Sequence, residues 1–290
     1  MKFRYTLILL VSAFVSCSTP IQRQNTSDTF TDDYGRRIAI PTNPKRVVSA
    51  SPAITEIIFA LGAEDLLVGR TDFCTYPPEA SRIASIGGIS NINIESILAL
   101  QPDLVISGSM IPKQATEVIE HMGVPFACVI EKKSFDGLYK NIAHVGHLLG
   151  RTHAADSLIA LLKGQEPPID TLSDKGRPTV YYVVGFGPGG NFTAGGNTFI
   201  NDIIRMAGGR NIAENLTGWN YSIEALTSAD PDFILIRKED AETFSATKPY
   251  STLSAVKKGR VIAIESGLID LQVPRNIEAV SLIRERLQSL

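Results

Sequence analysis

Apolar and polar positions along the chain switch repeatedly between a short continuous run and a helical stripe. Residues 46–49 read as a strand. Ser51 then stands as a good N-cap, with Pro52 at the first helical position. Ile54, Ile57, Ile58 and Leu61 form a helical stripe that Gly62 closes. The pattern predicts a strand at 66–69, a helix capped by Asn93 and running to Leu100, a strand at 103–106, a helix near 114–122 and a strand at 126–130. From Gly137 to about Leu162 the stripe continues through Leu138, Ile142, Val145, Leu148, Leu149, Ala154, Leu158 and Leu161, which predicts one long helix. A Pro-rich loop follows at 165–177. Strands at 179–184, 233–236 and 261–264 then alternate with helices at 198–207, 222–228 and 275–287.

Alternation of this kind predicts an α/β fold with mostly parallel sheets. The long helix divides it into an N-terminal lobe at 33–136, a connector at 137–163 and a C-terminal lobe at 164–290. An internal repeat supports two related lobes. Asn93-Ile94-Glu95 and Pro102-Asp103-Leu104-Val105-Ile106 return as Ser222-Ile223-Glu224 and Pro231-Asp232-Phe233-Ile234-Leu235, with the same interval between Glu and Pro. Upstream, Glu56-Ile57-Ile58 before Gly62 matches Asp202-Ile203-Ile204 before Gly208. Two facing lobes leave a cleft, and clefts between domains favour ligands.

The N-terminus stands apart from this pattern. Lys2 and Arg4 precede an apolar run over 7–15, too short to span a bilayer, and Ser16-Cys17-Ser18 follows. The arrangement resembles a bacterial lipoprotein signal at 1–17 in which Cys17 receives the lipid, with Phe14 where the usual motif has Leu. Residues 18–32 are expected to be a flexible tether. The mature protein is then expected to be anchored to a membrane without crossing it. With Cys17 lipidated, Cys74 and Cys128 remain. The sequence favours free buried thiols but leaves a disulfide open.

Composition mainly excludes. Over 290 residues the formal net charge is −2, so no basic excess points to nucleic acid. No Gly-x-Ser-x-Gly elbow, His-Glu-x-x-His pair or triad suggests an enzyme. Gly185-Phe186-Gly187-Pro188-Gly189-Gly190 fits a dinucleotide pattern formally, but Pro188 interrupts it and the helix begins only near Thr198. A permissive loop at the cleft mouth is the better account. His144, His147 and His153 fall on the predicted connector, where a packed or solvated face is expected in place of a metal site.

The stretch from Pro44 to Glu56, the segment Asp72-Phe73-Cys74-Thr75-Tyr76-Pro77-Pro78-Glu79, the segment from Gly87 to Leu104, Thr193-Ala194-Gly195-Gly196-Asn197-Thr198-Phe199-Ile200 and Asn211-Ile212-Ala213 resemble the class III substrate-binding proteins of ABC importers for cobalamin, ferric siderophores and haem. The resemblance spans about 33–290. It implies two lobes joined by a single long helix, a monomer, no catalytic cofactor, a periplasmic site of action and only modest closure on binding. It also implies that Glu95 and Glu224, one acid in the first turn of a helix in each lobe, dock on arginines of the permease. The segments around Tyr76 and Thr193 look closest to the cobalamin branch. Cobalamin is therefore the expected cargo, with a ferric siderophore or haem as the alternative. Aromatic rings in the loops after strands are the candidate ligand contacts: Phe73, Tyr76, Phe186, Phe192, Trp219 and Tyr221. Asn91, Asn220 and Arg275 are candidate polar contacts. For haem, Tyr76, Tyr182 and Tyr221 are candidate axial ligands. For an anionic siderophore, Arg70, Arg82, Arg210 and Arg275 are candidate counter-charges.

Overall fold

The computed structural model describes residues 27–108, 111, 113–168 and 176–289. Cys17, the signal and most of the tether lie outside the described residues, as does the middle of the Pro-rich loop. The chain opens on an antiparallel hairpin, β1 (Ser27–Thr31) with β2 (Arg37–Pro41). Residues 27–31, expected to belong to the tether, form β1 instead. The signal for β1 is weak because Phe30 is its one buried apolar side chain; Ile38 and Ile40 of β2 supply the rest of the apolar face.

The first lobe contains β3 (Val47–Ala50), α1 (Pro52–Ala60), β4 (Leu67–Arg70), α2 (Ile94–Ala99), β5 (Leu104–Ser107), α3 (Lys113–His121) and β6 (Phe126–Cys128). Its sheet is wholly parallel in the order β4-β3-β5-β6. Two helices follow, α4 (Phe135–Leu148) and α5 (Thr152–Gln165). The second lobe contains β7 (Thr179–Val183), α6 (Phe199–Met206), β8 (Arg210–Asn211), α7 (Ile223–Ala229), β9 (Phe233–Arg237), α8 (Ala241–Ala246), α9 (Ser254–Lys257), β10 (Val261–Ile264) and α10 (Asn276–Leu287). Its parallel order is β8-β7-β9-β10. The two orders correspond strand for strand, so the repeat read in the sequence is also a repeat of topology. Every residue of β3 and β5 is buried, as a parallel sheet covered on both faces requires.

The repeated Pro-Asp has a structural reason. Asp103 accepts hydrogen bonds from the backbone amides of Lys45 (2.7 Å) and Arg46 (3.0 Å), at the start of β3. Asp232 accepts one from the amide of Thr179 (2.8 Å), at the start of β7. Each carboxylate thus ties the first edge of its own strand to the first strand of its lobe. The residue before each Pro-Asp, Gln101 or Asp230, takes a positive φ (47° and 37°), an uncommon conformation for a residue other than glycine and one that occurs at the same place in both lobes.

The single long connector is corrected to a helical hairpin. Leu149 caps α4, and Gly150 follows at φ +65°. The amide of Arg151 donates to the carbonyl of Gly146 (2.7 Å) and that of Gly150 to His147 (3.1 Å), the paired bonds of a Schellman ending. The apolar stripe ran on across the break because both helices present an apolar face to the same core. Only Gly150 marked the stop. α4 bridges the lobes: it packs on α1 of the first and α6 of the second. Leu138, Ile142, Val145 and Leu148 are buried there, in one continuous apolar core that also holds Val47, Leu104, Val180 and Leu235.

α5 folds back on α4 at Gly146. A Cβ at that position would lie 2.5 Å from the Cβ of Ala155. Gly146→Ala is therefore expected to destabilise the protein by about 1–3 kcal/mol, even though alanine suits a helix better by roughly 0.5–1 kcal/mol. Gly164→Ala in α5, where a Cβ meets open space, should show the small gain alone. Urea unfolding of the two variants checks the opposite signs. Equal stability would show that the helices are not in close contact.

Candidate ligand cleft

The cleft lies where the carboxyl ends of the two sheets meet. A cavity of about 600 Å³ is lined by Thr75 and Tyr76 from the loop after β4 and by Lys238, Glu239, Glu265, Ser266 and Gly267, which directly follow β9 and β10. Arg275, one residue before α10, completes it. The volume lies in the ordinary range for small-molecule sites.

Arg275 binds the other lobe instead of standing free for a ligand. Its Nε and Nη2 donate to the two carboxylate oxygens of Glu56 on α1, at 2.7 and 3.0 Å. The side chains are 13 % and 5 % exposed. The guanidinium also lies 3.8 Å above the ring of Tyr76. A Cβ at Gly267 would stand 2.5 Å from Nη2, so glycine leaves the room the guanidinium occupies. Burial pushes the Glu56 carboxyl up against the pull of Arg275. Burial also opposes the Arg275 charge, but the bonds and charge of Glu56 outweigh it and hold the guanidinium above its usual range. The two shifts favour opposite states of the pair. The ionised pair is the sounder reading, because guanidinium cannot discharge and a neutral Glu56 would leave it buried without a counter-charge.

A second clasp lies close by in sequence. The side chain of Gln272 accepts from the amide of Lys132 (2.7 Å) and donates to the carbonyls of Lys132 and Ser134 (3.0 Å each). The segment 270–276 therefore straps the second lobe to the end of the first. Arg237 is occupied too. It donates to Asp270 (2.6 Å), which also accepts from the Tyr182 hydroxyl at 2.5 Å.

The remaining candidates separate into groups. Tyr76 reaches the cavity, and Phe73 and Trp219 are half or more exposed, at 60 % and 51 %. Phe73 follows β4. Trp219 is held on the carboxyl side of β7: its carbonyl accepts from the Thr193 amide, and Asn220 bridges Phe192. Phe186 packs edge-on against Phe244 and Tyr250 in an apolar cluster of the second lobe. Phe192 is half-buried over Gly185 and Gly190, and Tyr221 is half-buried beside Tyr181, their centroids 5.6 Å apart. Asn91 is exposed, and its side-chain oxygen closes on Gly88 in a turn. The glycine-rich loop is pinned by the Gly187 amide donating to the Tyr250 hydroxyl (2.9 Å), with no helix start beside it.

Sequence reasoning missed Glu56, Lys238, Glu239 and Glu265. The placement of Lys238, Glu239 and Glu265 directly after strand ends was a usable signal, but the residues singled out in such loops were aromatic rings, Asn91, Asn220 and Arg275; Glu56, inside α1, carried no such signal. Of the anionic-ligand arginines, Arg70 donates to the carbonyls of Thr71, Ala80 and Ser81, Arg210 faces Glu214 at 3.9 Å, and Arg82 is exposed at the end of a short 3-10 helix. Among the haem candidates, Tyr182 is fully buried, and burial pushes the hydroxyls of both Tyr182 and Tyr221 up, away from the phenolate a metal would take. His144 and His147 pack around Phe30 of the hairpin. Cys74 and Cys128 are free and buried. Among the described residues, no cluster of His, Cys, Asp or Glu could hold a metal ion, and no helix is long and apolar enough to cross a membrane.

Glu95 and Glu224 are both exposed, in the first turns of α2 and α7. Asn93 Oδ1 caps the first helix through the Ser96 amide (3.0 Å), and Ser222 Oγ caps the second through Ala225 (3.1 Å). Neither acid forms an ion pair among the described residues.

Three comparisons match this architecture. The uncharacterized ABC transporter substrate-binding lipoprotein YvrC of Bacillus subtilis is 28 % identical over 97 % of this chain and 95 % of its own length. A cobalamin-binding protein of Halobacterium salinarum is 31 % identical over 92 % of this chain and 73 % of its own. The solved structure of the periplasmic haem-binding protein RhuT of Roseiflexus sp. RS-1 superposes with a TM-score of 0.72 at 27 % identity, covering 84 % of this chain and 98 % of that one. The family model for periplasmic binding proteins matches residues 47–268, nearly the whole of both lobes, and the chain belongs to that family.

Proposed function

We propose that the protein is the substrate-binding component of an ABC importer, held in the periplasm by a lipid on Cys17, and that its cargo is cobalamin or a related corrinoid. It binds and hands over its ligand without chemical change. The observation that carries the choice of ligand is the charge of the cleft. Arg275 is neutralised by Glu56 and Arg237 by Asp270, which leaves Lys238 against Glu239 and Glu265. Such a wall suits a bulky ligand without a large negative charge and has little to offer a polyanionic ferric siderophore. Tyr76, Phe73 and Trp219 add exposed apolar rings at the carboxyl edges of both lobes. The cobalamin-binding relative agrees with this reading. Haem is the second reading, favoured by the haem-binding relatives and by Tyr76, the candidate axial tyrosine that lines the cavity.

Trp219 is the chain's single tryptophan and stands half exposed on the carboxyl side of β7, which makes its fluorescence the probe of choice. Titration with cyanocobalamin, haemin and a ferric siderophore, followed by its fluorescence, is expected to give saturable quenching by cyanocobalamin. A shifted haem band with no response to cyanocobalamin would overturn the ligand assignment. Delivery is assigned to Glu95 and Glu224, whose exposure and matched caps present one carboxylate per lobe to permease arginines.

A further inference from the structure

A second, smaller recess, sharing no lining residue with the main cavity, also takes residues from both lobes. It is a cavity of about 100 Å³ between Ala50 at the end of β3, Ser51 and Pro52 beyond it, Ile89, Gly108 after β5, Glu131 after β6, and Leu271 from the strap of the second lobe. In the order β4-β3-β5-β6 the chain runs from β3 to one neighbour and then crosses to the other. The recess therefore opens at the topological switch point, where open parallel sheets take their ligands.

Glu131 is the one charged side chain among those lining residues. Its side chain is exposed to water, although the protein packed around its base pushes the carboxyl up, and the Gln272 backbone amide offsets this only in part. It has no ion pair among the described residues. The adjacent Lys132 is turned to Asp33, at 2.5 Å. A carboxylate has about four acceptor positions, and one nearby donor leaves most of them open.

We propose that Glu131 accepts an amide N–H from the edge of the ligand at this recess, and that it thereby selects a ligand edged with neutral amides over one edged with carboxylates. The inference rests on the corrinoid reading above and adds its means of recognition. A recess of this size admits one side-chain amide and excludes the macrocycle itself. A ligand carboxylate at the same place would meet a like charge.

The test is calorimetric titration of wild-type protein, Glu131→Leu and Glu131→Gln with cyanocobalamin and with its monocarboxylic acids, in which one side-chain amide is hydrolysed. Thermal unfolding confirms that each variant is folded. Glu131→Leu is expected to weaken cyanocobalamin about ten- to a hundredfold. Glu131→Gln keeps an acceptor oxygen, so it should lose less and bind at least one acid better than wild type does. Cyanocobalamin binding within twofold of wild type in Glu131→Leu overturns the proposal, as does wild-type binding of every acid as tightly as the parent. If wild type binds haemin and not cyanocobalamin, the ligand reading fails and Glu131 is judged on haemin. Its carboxylates should then bind more tightly to Glu131→Gln, and unchanged affinity overturns the role of Glu131 there as well.

Discussion

Replacing Glu56 with alanine is expected to cost about 3–5 kcal/mol of unfolding free energy, the range for removing one partner of a buried pair. The charge of Arg275 would stay behind, 13 % exposed, with no carboxylate to meet it. Its stacking on Tyr76 offsets a small part of this, about 0.5–2 kcal/mol. The double replacement Glu56→Leu with Arg275→Met should recover most of the loss, because well-packed apolar groups often substitute for a buried pair at little cost. Urea unfolding of the single and double variants supplies the comparison. A loss below about 1 kcal/mol in Glu56→Ala, the level of an exposed pair, would mean that these residues do not clasp the lobes. Ligand affinity should fall in the single variant too, since the pair fixes the Tyr76 side of the cavity against the second lobe.

Charge reversal at both docking positions gives the largest functional effect. In the double variant Glu95→Arg with Glu224→Arg, uptake is expected to fall to background while the affinity for ligand in solution stays unchanged. Both side chains are exposed, in short helices whose caps come from other residues, so the fold should not register the change. A carboxylate facing arginine supplies attraction and, when bidentate, orientation; reversal turns both into repulsion. Each single reversal should lower uptake roughly tenfold or more. Cells expressing the double variant, assayed for uptake beside purified protein assayed for binding, separate the two functions. Uptake within twofold of wild type would end the assignment of these residues.

Much of this was legible from residues close together in sequence. The alternation of strand and helix, Ser51 with Pro52, the caps Asn93 and Ser222, and the repeated Glu and Pro-Asp are short-range patterns, and the structure bears out the α/β order they imply. The places of Glu95 and Glu224 followed because a first helical turn is located by its cap. The helix break at Gly150 was also present as a local signal, yet the surrounding periodicity masked it. An apolar stripe reports which face is buried and cannot tell one straight helix from two that bury their faces in the same core.

The site was less legible. Phe186 and Trp219 both sit in Gly- or Asn-bearing loops of the second lobe, yet one packs on Phe244 and the other is half exposed. Arg275 stood among the candidate polar contacts, with no individual role. Its partner Glu56 lies 219 positions away, so no local pattern joins them. The sequence by itself determined the class of fold, its duplication and the two exposed acids, because backbone propensity, capping and periodicity act over a few residues. Only the tertiary structure decided which charges cancel across the cleft, which rings stay uncovered and where Glu131 points. These depend on how two sheets close around α4, and that closure is set by the summed packing of both lobes rather than by any one segment.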